Sequence, residues 1–339
     1  MRIAILGAGA WGTALAASLA PRANVVLWAR DPNAARTIAL DRRNERYLPG
    51  IALPERLAVT ADLAAALGHA RGGSGPGLVL VASPTEGLRG IAGTLRAATG
   101  GAGDDAGFAC AWLCKGLERD TGLLPHEVFA EEAPGIHAGP VSGPSFAEEV
   151  ARGLPTALVA AGPAALCDRV TAALHGGNLR VYSSSDVPGV EIGGAVKNVL
   201  AIAAGMADAM RLGSNARAAL VTRGLSETQR LGATLGARPE TLTGLAGLGD
   251  LLLTCTGDLS RNRRVGLALG AGAGPEDAMA AIGHVAEGVW TAPALLARAR
   301  KAGVEMPITE AVCDVLARRC SPRDALSRLL SRDPRSELA

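Results

Sequence analysis

The chain has almost no net charge: 34 Lys and Arg stand against 32 Asp and Glu, a formal +2, with the two signs interleaved. That balance argues against a nucleic-acid surface. The one local basic cluster, residues 260–264, is too small for a duplex footprint. No CxxC pair occurs among the six cysteines, at 110, 114, 167, 255, 313 and 320. They read as buried thiols of a reducing compartment, not as a disulfide frame or a zinc site. The histidines (His69, His126, His137, His175, His284) are scattered, which argues against a histidine-based metal site. The opening MRIAILGAGAWG carries one charge and then a strand pattern, without the cleavage region of a secretory signal. No stretch reads as long and clean enough to cross a bilayer. These absences predict a cytoplasmic, metal-free protein without membrane insertion or a nucleic-acid partner.

What is present is a globular composition, 48% apolar and rich in Ala and Gly, in a chain long enough for two domains. Up to about residue 185, short apolar runs alternate with helical patterns: RIAIL (2–6), VVLWA (25–29), LVLVA (78–82), FACAWLC (108–114), IHAGPVS (136–142), TALVAA (156–161) and LRVYS (179–183). Continuous rather than alternating apolar strands predict a parallel α/β sheet covered on both faces. The Gly-rich stretches 68–77 and 99–107 read as surface loops. After SSDVPG (184–189) the pattern becomes Ala/Leu-rich at helical spacing, with Pro275 at a helix start. The expected fold is a doubly wound, Rossmann-type sheet domain, residues 1–188, followed by an all-helical domain, residues 189–332. The last residues, SRDPRSELA, read as frayed.

Gly7, Gly9 and Gly12 form GxGxxG between the first strand and an Ala-rich helix. Such glycines allow a tight turn, close approach of backbone to a diphosphate, and close helix–strand packing, with the diphosphate on the helix N-terminus. The second strand ends in Arg30, where an NAD site usually carries an acid for the ribose 2′-hydroxyl. An arginine there can meet a 2′-phosphate, and Asp31 keeps the acidic option open, as does a plain Arg–Asp surface pair. Lys115, in CKGLERDTG, stands at the C-terminal edge of the sheet, where it either neutralises phosphate or polarises a carbonyl, or is simply solvated. Gly143 and Ser145 offer donors at the next strand end, in what is otherwise an ordinary strand–helix turn. Asp250 is an isolated carboxylate in an apolar stretch. Ser260, Arg261 and Asn262 group hydroxyl, guanidinium and amide, which suits a phosphate dianion, although a basic helix start is the plainer alternative. Lys197 is the only charge between Glu191 and Asp208, with Asn198 beside it. An ammonium in an apolar helix wall can protonate the oxygen of a ketone as hydride arrives, and burial lowers its pKa. The alternative is a lysine whose tip reaches water.

In order and spacing, GAGAWGTALA, VVLWARDP, CKGLE, SGPSFAEE, GLPTA, GGAVKNVLAI, NARAALVTRGL, AGLGDLLLTCT, SRNRR and VEMPITE resemble the bacterial-type glycerol-3-phosphate dehydrogenases over nearly the whole chain. The resemblance implies reversible reduction of dihydroxyacetone phosphate to sn-glycerol 3-phosphate by NADH or NADPH, supplying phospholipid synthesis. It implies Lys197 as proton donor and acceptor, and Lys115 as a contact of both cofactor and substrate. Gly143, Ser145, Asp250, Ser260, Arg261 and Asn262 are implied as substrate contacts. Ala10, Trp11, Arg30, Ala147 and Arg261 are implied as cofactor contacts, joined by Val285 and Glu287 from a segment that closes over the cofactor. A homodimer is expected. The rival readings are a reductase of another small keto acid on the same two-domain plan, and a dinucleotide-binding sensor without turnover.

Overall fold

The computed structural model describes residues 1–73, 75–100 and 107–331. Its strands are β1 (Arg2–Leu6), β2 (Asn24–Trp28), β3 (Arg43–Asn44), β4 (Leu48–Ala52), β5 (Ala58–Thr60), β6 (Gly77–Val81), β7 (Phe108–Trp112), β8 (Ala138–Ser142), β9 (Thr156–Ala161) and β10 (Leu179–Ser184). Helices α1 (Ala10–Leu19), α2 (Pro32–Asp41), α3 (Leu63–Arg71), α4 (Leu88–Thr99), α5 (Pro125–Glu132), α6 (Ala147–Ala151) and α7 (Ala164–Leu174) lie between them. From there the chain is helical: α8 (Val187–Ala209), α9 (Gly213–Thr234), α10 (Pro239–Thr243), α11 (Asp250–Thr256), α12 (Arg261–Gly270), α13 (Pro275–Ile282), α14 (Glu287–Lys301), α15 (Pro307–Leu316) and α16 (Pro322–Leu330).

Eight strands form one sheet in the order β10-β9-β8-β7-β6-β1-β2-β5. Alternate residues of β1 serve opposite faces: Ile3 and Ile5 join one apolar cluster, Ala4 and Leu6 another, so both faces are covered. The sheet is not wholly parallel as expected, because β9 runs antiparallel to β8. The connection between them carries one short helix, α6, of five residues. Three strands of the sheet half also escaped the sequence pattern, β5 and the two of the antiparallel hairpin β3–β4. The stretch 68–77 is not simply a loop, since it ends α3 and begins β6. Within 99–107, residues 101–106 lie outside the described residues, as do 332–339 of the tail.

In the helical half, α8 is the axis, with α9, α11, α12, α14 and α15 packed around it. Every residue from Gly189 to Ala207 is buried. Contrary to the sequence reading, α8 is long and apolar enough to span a bilayer, with a window of mean hydropathy 1.3 that is wholly buried inside the protein. Valine, isoleucine, leucine and alanine supply that apolarity, while glycines such as Gly193 and Gly205 let neighbouring helices close in. Five cysteines are buried and Cys320 is half-buried.

Candidate active site

Leu6 ends β1, and Gly7 turns the chain with φ +124°. A Cβ on Gly12 would come within 1.9 Å of the Gly7 oxygen, so only glycine lets α1 start this close to the strand. Gly9 caps α1, and a Cβ there would meet nothing within 4 Å. That open space lies before the unpaired N–H groups of a helix N-terminus, which suits a diphosphate. Ala10 and Trp11 open α1, with the Trp11 ring partly buried against the core. The residues present therefore fit a dinucleotide. Arg30 is exposed just past β2, while the Asp31 carboxylate is engaged as the cap of α2, accepting the Asn33 N–H at 2.9 Å. One oxygen of the acid at that strand end is thus engaged in helix capping, beside the exposed Arg30.

Where the end of β7 meets α8 and α11, three charges come together. Lys197 Nζ donates to Asp250 Oδ1 at 2.7 Å and to the Thr254 hydroxyl at 3.0 Å. Lys115 Nζ donates to Asp250 Oδ2 at 2.8 Å and to the Gly143 carbonyl at 3.1 Å. One carboxylate is shared by two ammonium groups, one oxygen each. Lys115 sits three residues past β7, and its own carbonyl accepts from Asn198 Nδ2 at 2.8 Å. Asp250 begins α11 directly after a π-turn over Leu245–Gly249, which lies against α8 where a Cβ on Gly193 would be 2.6 Å from the Ala246 oxygen. Asp250 is 1% exposed and Lys197 8%. Burial lowers the Lys197 pKa to about 8; the Asp250 charge opposes that shift and the neighbouring Lys115 adds to it. Burial pushes the Asp250 carboxyl upward, but the two lysines more than offset it and hold it below the ordinary range.

The remaining sequence-derived positions divide. The Gly143 carbonyl also accepts the Ser145 hydroxyl, at 2.8 Å, and Ala147 begins α6, which packs against α1. Asn198 does not face the cleft as a free donor: its amide holds Lys115, and its Oδ1 accepts from Asn262 Nδ2 at 2.9 Å. Asn262 Oδ1 in turn accepts the Gly288 N–H at 3.0 Å. Ser260 caps α12, its hydroxyl accepting the Arg263 N–H at 3.2 Å, whereas Arg261 is exposed. Glu287 accepts the Thr85 N–H at 3.2 Å, which ties the start of α14 to the end of β6. Val285 is 44% exposed, lining a cleft with Thr85, Trp290 and Arg119, whose guanidinium lies 3.8 Å over the Trp290 ring. Sequence reasoning missed Thr85 and Thr254. Thr85 closes the stretch SPT (83–85) just past the end of β6, a strand end on the ligand edge of the sheet; Thr254 is one helical turn after Asp250.

Family models described as the N-terminus and the C-terminus of NAD-dependent glycerol-3-phosphate dehydrogenase match residues 2–166 and 186–327. The chain is 57% identical over 338 residues, 99% of its length and 98% of the relative's, to a protein of Methylibium petroleiphilum named glycerol-3-phosphate dehydrogenase (NAD(P)+). The chain belongs to this family. A Burkholderia lata protein of the same name is 56% identical, covering 99% of this chain and all of its own. Among solved structures, the glycerol-3-phosphate dehydrogenase of Coxiella burnetii superposes with a TM-score of 0.91 at 43% identity, covering 97% of this chain and 98% of its own. Membership of the NAD-dependent glycerol-3-phosphate dehydrogenases carries with it the Rossmann-type sheet domain, the helical second domain and a nicotinamide dinucleotide.

Proposed function

We infer that this dehydrogenase reduces dihydroxyacetone phosphate to sn-glycerol 3-phosphate reversibly, with NADH or NADPH, and so supplies glycerophospholipid synthesis. The observation that carries the catalytic reading is the sharing of the buried Asp250 carboxylate by Lys115 and Lys197. The dinucleotide supplies the hydride when bound. Lys197 donates its proton to the C2 oxygen of the ketone as negative charge develops there, and recovers it in the reverse direction. With a pKa near 8 it holds a proton at neutral pH yet releases it readily. Asp250 directs the ammonium and keeps it from losing its proton too early. Lys115 adds positive charge beside the same oxygen.

Arg261, exposed at the start of α12, forks onto the substrate phosphate, with Asn262 and Ser260 alongside. Gly143 and Ser145 line the substrate side. Gly7, Gly9, Ala10, Trp11, Gly12, Arg30, Ala147, Val285 and Glu287 hold the dinucleotide. On this reading residues 1–188 bind the cofactor and residues 189–332 provide substrate binding and proton transfer. We propose a cytoplasmic homodimer without nucleic-acid binding or membrane insertion; the complete burial of α8 and the balanced charge support the last two.

The test follows absorbance at 340 nm with purified protein, dihydroxyacetone phosphate, and NADH or NADPH in parallel, with phosphate-free dihydroxyacetone as control. Rapid oxidation with the phosphate ester alone is expected. Absence of oxidation in protein that still binds the dinucleotide would return the sensor reading. Equal rates with and without phosphate would point to the keto-acid reductase plan.

A further inference from the structure

Hairpin β3–β4 carries none of the sequence motifs, yet its first strand reaches beneath the glycine turn. Asn44 is only 4% exposed. Its amide nitrogen donates twice, to the Ala8 carbonyl at 2.9 Å and to the Thr13 hydroxyl at 2.8 Å. Its Oδ1 accepts the Tyr47 N–H at 3.4 Å, which fixes the nitrogen towards the turn. Both donors of the primary amide are thereby used. The Ala8–Gly9 peptide is trans, so its C=O and N–H point in opposite directions. Holding the Ala8 oxygen against Asn44 therefore turns the Gly9 N–H away from the hairpin. Gly9 is the residue whose missing Cβ leaves open space before α1. The neighbouring carbonyl, Gly7 O, is covered by Gly12. Both oxygens of the turn thus face protein, and the donors are left for an anion.

We propose that Asn44 is a positioning residue for the dinucleotide: from outside the glycine motif it orients the Ala8–Gly9 peptide so that the Gly9 N–H meets the diphosphate. This rests on the reading that the glycine turn holds the dinucleotide. With the amide removed, the peptide can rotate and present an oxygen to two negative charges in place of a donor. Thr13 provides an internal control, because its hydroxyl takes the second Asn44 donor but touches no carbonyl of the turn.

The experiment measures Kd for NADPH and NADH from nicotinamide fluorescence, without substrate, in wild type, Asn44→Ala, Asn44→Asp, Thr13→Val and Gly9→Ala. Both Asn44 variants are expected to bind at least about tenfold more weakly, with Thr13→Val within about twofold of wild type. At saturating dinucleotide, kcat and the KM for dihydroxyacetone phosphate should hold within about twofold. Asn44→Asp keeps the side-chain shape while placing oxygen against the Ala8 carbonyl, so it carries the test where Asn44→Ala does not fold. Wild-type affinity in the Asn44 variants overturns the proposal, as does a Thr13→Val loss equal to theirs, which would assign the effect to hairpin docking alone. Unchanged affinity in Gly9→Ala overturns the glycine-turn reading itself. Weakened Gly9→Ala beside unchanged Asn44 variants removes only the role of Asn44.

Discussion

The sheet half and the helical half bury different kinds of polar group. In the sheet the buried ones are Thr13, Asn44, Thr85, Ser142, Ser145 and Thr156, all neutral, and a buried carboxylate appears only at the junction, where Asp186 caps α8. The helical half buries Glu191, Lys197, Glu227, Asp250 and Arg263. The difference follows from the work each half does. A diphosphate can be held by backbone N–H groups and a helix end, which are permanent dipoles and need no side-chain charge. Moving a proton and balancing a phosphate dianion require ionisable groups, and those are costly to bury unless paired. Pairing also sets their character. Asp250, gripped by two lysines, stays ionised, whereas Glu227 accepts only the Ile308 and Thr309 N–H groups and the Thr309 hydroxyl, and burial pushes it up to about 7.

Removing the key charge of the helical half tests that division most directly. Lys197→Met should lower kcat by roughly 10³-fold, within the range of a lost proton donor, while the Kd for NADPH, among whose contacts Lys197 is not counted, stays put. A parallel loss of NADPH affinity would break the comparison. Arg261→Ala should cost about 10²-fold in kcat/KM for dihydroxyacetone phosphate and almost nothing for dihydroxyacetone, as steady-state kinetics on both substrates would reveal. The pH profile sharpens the contrast further. Reduction needs the Lys197 ammonium, so its kcat/KM should fall as pH rises through about 8, and oxidation should rise through the same range. Because Asp250 raises the Lys197 pKa, Asp250→Asn should move the alkaline limb of reduction to lower pH; a limb that stays in place would separate Asp250 from proton control.

The smallest effect concerns stability. The folded Glu227 carboxyl keeps its proton up to about 7, against 4.5 ordinarily, so the folded chain binds more protons than the unfolded one between those values. Its contribution to stability should therefore be largest below pH 4.5, decline as pH rises to 7, and level off above. Glu227→Gln should remove that slope, a change of about 1–3 kcal/mol between pH 5 and 8 by urea unfolding, with turnover unaffected.

Legibility in the sequence also differed between the halves. The glycine turn was readable because its demands are local: a positive φ and a missing Cβ act within six residues. Lys197 was readable as an anomaly, a lone charge in an apolar helix. That Asp250 joins it to Lys115 was not, since the partners lie 53 and 135 residues away along the chain. The direction of β9 leaves no mark in its apolar run TALVAA, and hairpin β3–β4 was hidden because its strands are short and carry Pro49 and Gly50. The further duties of Ser260 and Asn198 were not legible, because they depend on neighbours in the fold: Ser260 caps a helix, and Asn198 fixes Lys115 and Asn262.

The burial of α8 has a consequence before the protein is finished. Its covering helices α9, α11, α12, α14 and α15 all follow it in the chain, so a ribosome that has just added Ala209 has made an uncovered apolar rod. About 90 more residues are needed before α14 is complete, roughly 5–20 s of translation. During that interval the segment has the length and hydropathy of a membrane helix and lacks the full set of helices that cover it in the finished fold. The dryness that tunes Lys197 in the completed enzyme makes this the stretch of the nascent chain most in need of a chaperone.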